Sequence, residues 1–258
     1  MLSNYLVKTM NSSITKKTCS LGSTAVVTFE SYKDFCKFIA QITVQCLDNH
    51  SLLSPARRFN IGLPTGGTPI GIYSELTQIL SHAQKQKLNC FGLDEYLDVG
   101  FSQSYYYFLC QHFYEPNEIA LSYRHRPEQY VKYEGQYDEV IKTCDGLDLV
   151  LLGLGDNGHI AFNEPGSVAS SVTRVIELSG VTRAANSRFF NSLDSVPFSA
   201  ATMGIATIFE AKKIILAVHG ESKRQALIDA FTGPMSPGNP ASFLQLHSDV
   251  EIFTDFAL

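Results

Sequence analysis

Short apolar runs alternate with amphipathic stretches through most of the chain. Thr24–Phe29 (TAVVTF) reads as a strand. Ser31 is placed to cap a helix whose apolar positions Phe35, Phe38, Ile39, Ile42 and Cys46 recur close to a 3.6 period. Phe59–Leu63 (FNIGL) is the next predicted strand, Pro69–Leu80 the helix after it, and Leu88–Leu93 (LNCFGL) a third strand. A helix over Tyr133–Thr143 leads into Leu147–Leu154 (LDLVLLGL), which is apolar almost throughout, as a strand buried on both faces must be. Lys213–Val218 (KIILAV) has the same character, a helix from Ser222 to Phe231 follows it, and Val250–Thr254 closes the series.

This βαβα alternation predicts an α/β fold, a mostly parallel sheet with helices on both faces. Ligands of such folds bind beyond the carboxyl ends of the strands. Chemistry-bearing residues just after the apolar runs therefore rank highest. No repeat or linker interrupts the pattern, so residues 21–258 read as a single domain behind a polar lead-in, residues 1–20.

Composition narrows the function classes. The 258 residues are 45% hydrophobic and 17% charged, which excludes a disordered or fibrous chain. The net charge of −5 argues against a nucleic-acid or anionic-membrane partner, whose footprint is basic, but leaves room for a local anion pocket. No apolar run approaches the roughly 20 residues of a membrane span, and the N-terminus lacks a signal-peptide core, so a cytoplasmic protein is expected. The six cysteines show no CxxC spacing and read as buried, reduced thiols.

Four segments carry candidate chemistry. Leu63-Pro64-Thr65-Gly66-Gly67-Thr68-Pro69 follows a strand. Its glycines let backbone N–H groups approach a ligand, Thr68 is placed to cap the next helix with Pro69 in its first position, and the helix start favours an anion such as phosphate. A plain β-to-α turn would carry much the same residues. Asp94, in Asp94-Glu95-Tyr96, emerges at a strand end, where a partly buried carboxylate can serve as general base. Gly153–Pro165 (GLGDNGHIAFNEP) concentrates Asp156, Asn157, His159, Asn163 and Glu164 in a glycine-rich turn. His159 suits proton shuttling, and either Glu164 or Asn157 can orient its ring. A metal site from Asp156, His159 and Glu164 is the weaker reading, because no second histidine supports it. Arg188 and Lys223 complete the set as phosphate cations, Lys223 gaining weight from its place just after a strand. The run Tyr105-Tyr106-Tyr107 divides between core packing and a ring that closes over a sugar.

LPTGGTP, LDEY, SYYYF, GHIAFNEP, NSRFF and ASFLQLH occur in one order over roughly three-quarters of the chain. Together they resemble the glucosamine-6-phosphate deaminase (isomerising) family, whose superfamily includes the 6-phosphogluconolactonases. The resemblance implies a Rossmann-like three-layer α/β/α sandwich. It also implies a reaction without metal or organic cofactor, in which glucosamine 6-phosphate and water give fructose 6-phosphate and ammonia. By position, Gly66, Gly67 and Thr68 would hold the phosphate with Arg188 and Lys223. His159, supported by Glu164, would open the pyranose ring, and Asp94 would move a proton from C2 to C1.

The chain departs from that pattern in three places. Many members have aspartate where Asn157 stands, so Asn157 is expected to orient His159 while Glu164 supplies the charge. Arg174 matches one position of the allosteric site in regulated members, but Ile176 replaces a lysine and the chain ends at Leu258. No activation by an N-acetylated sugar phosphate is expected, and a monomer or small homo-oligomer is. The lead-in has no assigned role. A galactosamine-6-phosphate deaminase/isomerase is the nearest alternative, favoured by Asn157 and Pro240–Leu244. A 6-phosphogluconolactonase and a non-catalytic sugar-phosphate sensor are more distant ones. The Ser/Thr/Ala-rich stretch Gly166–Phe190 is a candidate lid or an ordered excursion.

Overall fold

A computed structural model describes residues 14–187, 190 and 192–258. Eight strands form the main sheet in the order β1 (Lys16–Leu21), β2 (Thr24–Phe29), β11 (Val250–Thr254), β10 (Ile214–Val218), β7 (Leu149–Leu152), β3 (Phe59–Leu63), β4 (Leu88–Gly92) and β6 (Arg124–His125). All neighbours pair in parallel except β1 with β2. The parallel α/β architecture expected from the apolar runs is present.

Strand period 2 explains the layering. In β10, Ile215 and Ala217 enter one core, while Ile214, Leu216 and Val218 enter the other. The first core is covered by α1 (Tyr32–Leu53) and α2 (Gly67–Ile79), which supply Phe35, Phe38, Ile39, Ile72, Tyr73 and Leu76. The second is covered by α4 (Gln136–Thr143), α6 (Ile205–Phe209) and α7 (Arg224–Thr232), α3 being the short helix Tyr105–Leu109 and α5 Gly180–Asn186. Ser31 caps α1 as its sequence predicts, accepting the Asp34 N–H at 3.1 Å.

Some boundaries differ from expectation. β1 lies inside the stretch read as lead-in, and residues 1–13 fall outside the described part of the chain. β1 turns into β2 through Gly22-Ser23, with Gly22 at φ 56°, a two-residue hairpin loop. α2 starts at Gly67 rather than Pro69. Its N-cap is Gly66, without any side-chain cap bond, so Thr68 is not the cap. α4 starts at Gln136 instead of Tyr133, because Gly135 adopts a left-handed conformation that breaks the preceding chain away from the helix. Leu147–Leu154 shortens to the four residues of β7.

A second, antiparallel sheet of three strands has the order β5 (Asp94–Tyr96), β9 (Ser199–Thr202) and β8 (Arg174–Glu177). It stands beyond the carboxyl end of β4 and carries its own small core of Tyr96, Phe162, Leu178 and Ala200.

At the opposite, amino end of the main sheet, Asp148 is buried among cations and polar groups. It pairs with Arg57, with Lys212 at 2.8 Å and with the Asn60 N–H at 2.9 Å, and His50 lies 3.5 Å away. Burial alone would raise its pKa, but Arg57, Lys212 and Asn60 together hold it below the ordinary value.

Candidate active site

β3 and β7 are neighbours in the sheet, yet the chain leaves them toward opposite layers. The segment after β3 enters α2 in the first core, and the segment after β7 places Leu154 and Ile160 in the second. The crevice between such strands is where doubly wound folds bind ligands. The loop after β3 is Pro64–Gly66. Gly66 has φ 96°, and Cβ atoms built on Gly66 and Gly67 would meet nothing within 4 Å. The start of α2 has no capping side chain and open space beside Gly66 and Gly67, an arrangement suited to an oxyanion.

The loop after β7 is drawn tight. Gly155 N–H donates to the His159 carbonyl at 2.9 Å, and Gly158 N–H to the Gly155 carbonyl at 3.1 Å. Gly158 has φ 81°, a conformation that favours glycine, and the Ala241 N–H holds its carbonyl at 2.9 Å. Gly155 lies flat against the His159 ring, where an added Cβ would come within 2.2 Å of it.

This loop brings together three residues the sequence singled out. Asn157 Nδ2 donates to Glu164 Oε2 at 2.7 Å. A carboxylate only accepts, so the amide orientation is fixed and its oxygen faces His159. His159 Nδ1 therefore carries the proton and donates to Asn157 Oδ1 at 2.7 Å. Nε2 is left as the basic nitrogen. Glu164 Oε1 also lies 3.6 Å from His159 Nδ1. Burial lowers the His159 pKa; Glu164 and Asp156 oppose that shift and Lys223 reinforces it.

Lys223 forms its ion pair with Asp156 at 2.7 Å. Asp156 thus faces the lysine, while Asn157 and Glu164 engage the histidine; the Asp156–His159–Glu164 set is divided. Among the described residues no group of three or more His, Cys, Asp or Glu could hold a metal ion.

Asp94 opens β5, one residue beyond the buried Leu93, and is half-buried. Burial, with the adjacent Glu95 second, pushes its carboxyl up to about 8. Thr202 of β9 is its register partner, and Thr202 Oγ1 accepts the Phe162 N–H at 3.1 Å. The carboxylate's strand and the histidine's loop are thereby fixed to one residue.

Arg188 lies outside the described residues. Three site residues were not singled out from the sequence. Glu95 accepts N–H groups from Tyr96, Tyr105 and Tyr106 at 2.9, 2.8 and 2.7 Å, anchoring the start of α3. Burial raises its pKa to about 7 despite those bonds. Thr182 Oγ1 donates to Glu164 Oε1 at 3.1 Å, and Thr202 is described above. The only signal for Thr182 was Ser179 three residues earlier, which caps α5. Within the tyrosine run, Tyr105 stacks on Phe162 at 5.7 Å and Tyr106 packs on the first core.

The sequence profile of the glucosamine-6-phosphate isomerases/6-phosphogluconolactonases matches residues 30–252. The chain belongs to this family. A glucosamine-6-phosphate deaminase of Clostridium botulinum (strain Alaska E43 / Type E3) is 38% identical over 240 residues, 89% of this chain and 93% of that protein. One from Rhodopirellula baltica is 42% identical over 205 residues, 76% of this chain and 82% of the relative. Among solved structures, a monomeric glucosamine-6-phosphate deaminase superposes with a TM-score of 0.80 at 34% identity, covering 89% of this chain and 96% of that one. A 6-phosphogluconolactonase from Trypanosoma cruzi shares the fold, with a TM-score of 0.73 at 20% identity over 92% and 96% of the two chains. Within the family, the deaminase relatives share far more of this chain's sequence than that lactonase does.

Proposed function

We propose that the protein converts glucosamine 6-phosphate and water into fructose 6-phosphate and ammonia. The observation that carries this reading is the Asn157 amide bridging His159 and Glu164, on a loop tied through Thr202 to a half-buried Asp94 of raised pKa. The deaminase relatives support the substrate assignment.

The open N–H groups at Gly66, Gly67 and Thr68 bind the phosphate with Lys223 and Arg188. Lys223 leaves Asp156 for the phosphate when substrate enters. His159 Nε2 takes the proton of the anomeric hydroxyl and returns it to the ring oxygen as the pyranose opens. The imidazolium formed in transit is stabilised by Glu164 through space and through Asn157. Asp94 then moves a proton from C2 to C1 of the open-chain amino sugar. The enolamine becomes an imine at C2, and water adds to it to release ammonia. A carboxyl of raised pKa suits that step, because it holds a proton well and gives it up within the neutral range. The scheme uses no metal or organic cofactor, and no nucleic acid or membrane partner. It runs in the cytoplasm, in a monomer or small homo-oligomer.

The galactosamine 6-phosphate alternative rests on Asn157 and Pro240–Leu244. Within that segment the Ala241 N–H holds the Gly158 carbonyl of the histidine loop. Ammonia release, measured on both amino sugar phosphates without added metal, tests the reading. Turnover of glucosamine 6-phosphate in clear preference is expected. Preference for the C4 epimer would keep the chemistry and change the substrate, and release from neither would overturn the function.

A further inference from the structure

His219 stands one residue beyond β10, at the carboxyl rim of the sheet and four residues before Lys223. Its Nδ1 meets Asp255 Oδ2 at 2.5 Å, while Asp255 Oδ1 takes the Gly220 N–H at 2.9 Å. Asp255 is almost buried, with 9% of its side chain exposed, and both of its oxygens are engaged here. A carboxylate only accepts, so His219 Nδ1 carries a proton and Nε2 is the nitrogen left to a ligand.

The other face of the cluster is the anion loop. The His219 ring packs on Tyr32 at 4.2 Å between centroids. Tyr32 Oη accepts the Gly71 N–H at 3.0 Å and donates to the Thr68 carbonyl at 2.9 Å, in the first turn of α2. Tyr32 thus contacts both His219 and the start of α2 beside the Gly66–Thr68 loop. Lys223 follows on the same rim segment, after the turn at Gly220, which has φ 92°. His219 keeps 39% of its side chain exposed, and among the described residues its Nε2 has no hydrogen-bond partner. The titratable groups packed against it are Asp255 and Tyr32, with the Cys36 thiol behind Tyr32. Burial holds both Tyr32 and Cys36 in their protonated forms, each with a pKa of about 12.

We propose that His219 is a further ligand of the substrate's phosphate, its Nε2 taking up a proton as the dianion binds and donating it to a phosphate oxygen while Asp255 holds Nδ1. This rests on the phosphate site assigned above and adds a donor to it. Asp255 is a positioning residue: it fixes the ring without touching the ligand. The chemistry selects a dianionic phosphate over a neutral sugar.

Inorganic phosphate is the probe. Binding to the whole protein is measured by calorimetry for wild type, Lys223→Met, His219→Phe and His219→Gln, and the His219 ring signals are followed by NMR over pH. Phenylalanine keeps the stacking on Tyr32, so a loss in His219→Phe reports the missing donor rather than a collapsed loop. The expected result is about tenfold weaker phosphate binding in both His219 variants. It includes a His219 pKa that rises on adding phosphate, and a KM for glucosamine 6-phosphate that rises more than kcat falls. Weakening by Lys223→Met with neither His219 variant affected would overturn the role of His219 alone. No phosphate binding by wild type would overturn the phosphate site itself.

Discussion

The amide of Asn157 fixes the tautomer of His159 without adding charge to it. Substituting Asn157→Asp should therefore raise the His159 pKa, which NMR titration of the ring would show. Asn157→Ala should lower kcat by about tenfold or more and alter the pH–rate profile, the cost of a charge-assisted orientation. Asp94 carries a second prediction. Its carboxyl is held at about 8 in the folded chain against roughly 3.9 when unfolded. Between those values the folded state retains a proton that the unfolded state has lost. The contribution of Asp94 to stability is thus greatest below the unfolded value and falls as pH rises through about 8. Asp94→Asn should abolish turnover yet melt higher than wild type above pH ~8, with the difference vanishing near pH ~4 in thermal melts. In the active protein, kcat/KM should decline as pH falls through about 8, because the base must be ionised. Residue identity made Asn157, His159 and Glu164 legible, since they share eight positions of one glycine-rich turn. Thr182 was not legible, because it reaches Glu164 from a helix 18 residues away and a threonine alone has no chemical signature.

At the scale of elements, the long apolar strands could be read from sequence and the short polar ones could not. β7 and β10 are buried on both faces and announce themselves as continuous apolar runs. β5, β8 and β9 have three or four residues each and are defined by partners distant in sequence, so no local period marks them. Yet this small sheet sets the site. β5 carries Asp94, β9 joins it to the histidine loop, and β8 lies within the Gly166–Phe190 stretch. The glycine-rich loop itself is under a steric demand. Gly155→Ala would drive a Cβ into the His159 ring, now 2.2 Å from that position. The expected outcome is a loss of at least about a hundredfold in kcat with far-ultraviolet circular dichroism unchanged, since misplacing a catalytic group by an ångström costs on that order.

For the molecule as a whole, the solved deaminase at 34% identity is monomeric, and Ile176, at a position where the resemblance expects a lysine in regulated members, calls for a test of regulation. Sedimentation of the 28.5 kDa chain should give a monomer or small homo-oligomer, as proposed above, and the rate curve should be hyperbolic and insensitive to N-acetylglucosamine 6-phosphate. A sigmoidal curve relieved by that sugar would contradict both expectations.

The knot around Asp148 ties β3, β7 and the end of α1 at the rim farthest from the catalytic loops. Leu53, the last residue of α1 and three residues beyond His50, has 84% of its surface exposed. A tether or biotin-acceptor peptide inserted after Leu53 would therefore be carried by a rigid corner rather than a mobile one. Molecules immobilised through it would all present their substrate crevice away from the support, so an amino-sugar electrode built on this chain would lose little of its response to random orientation.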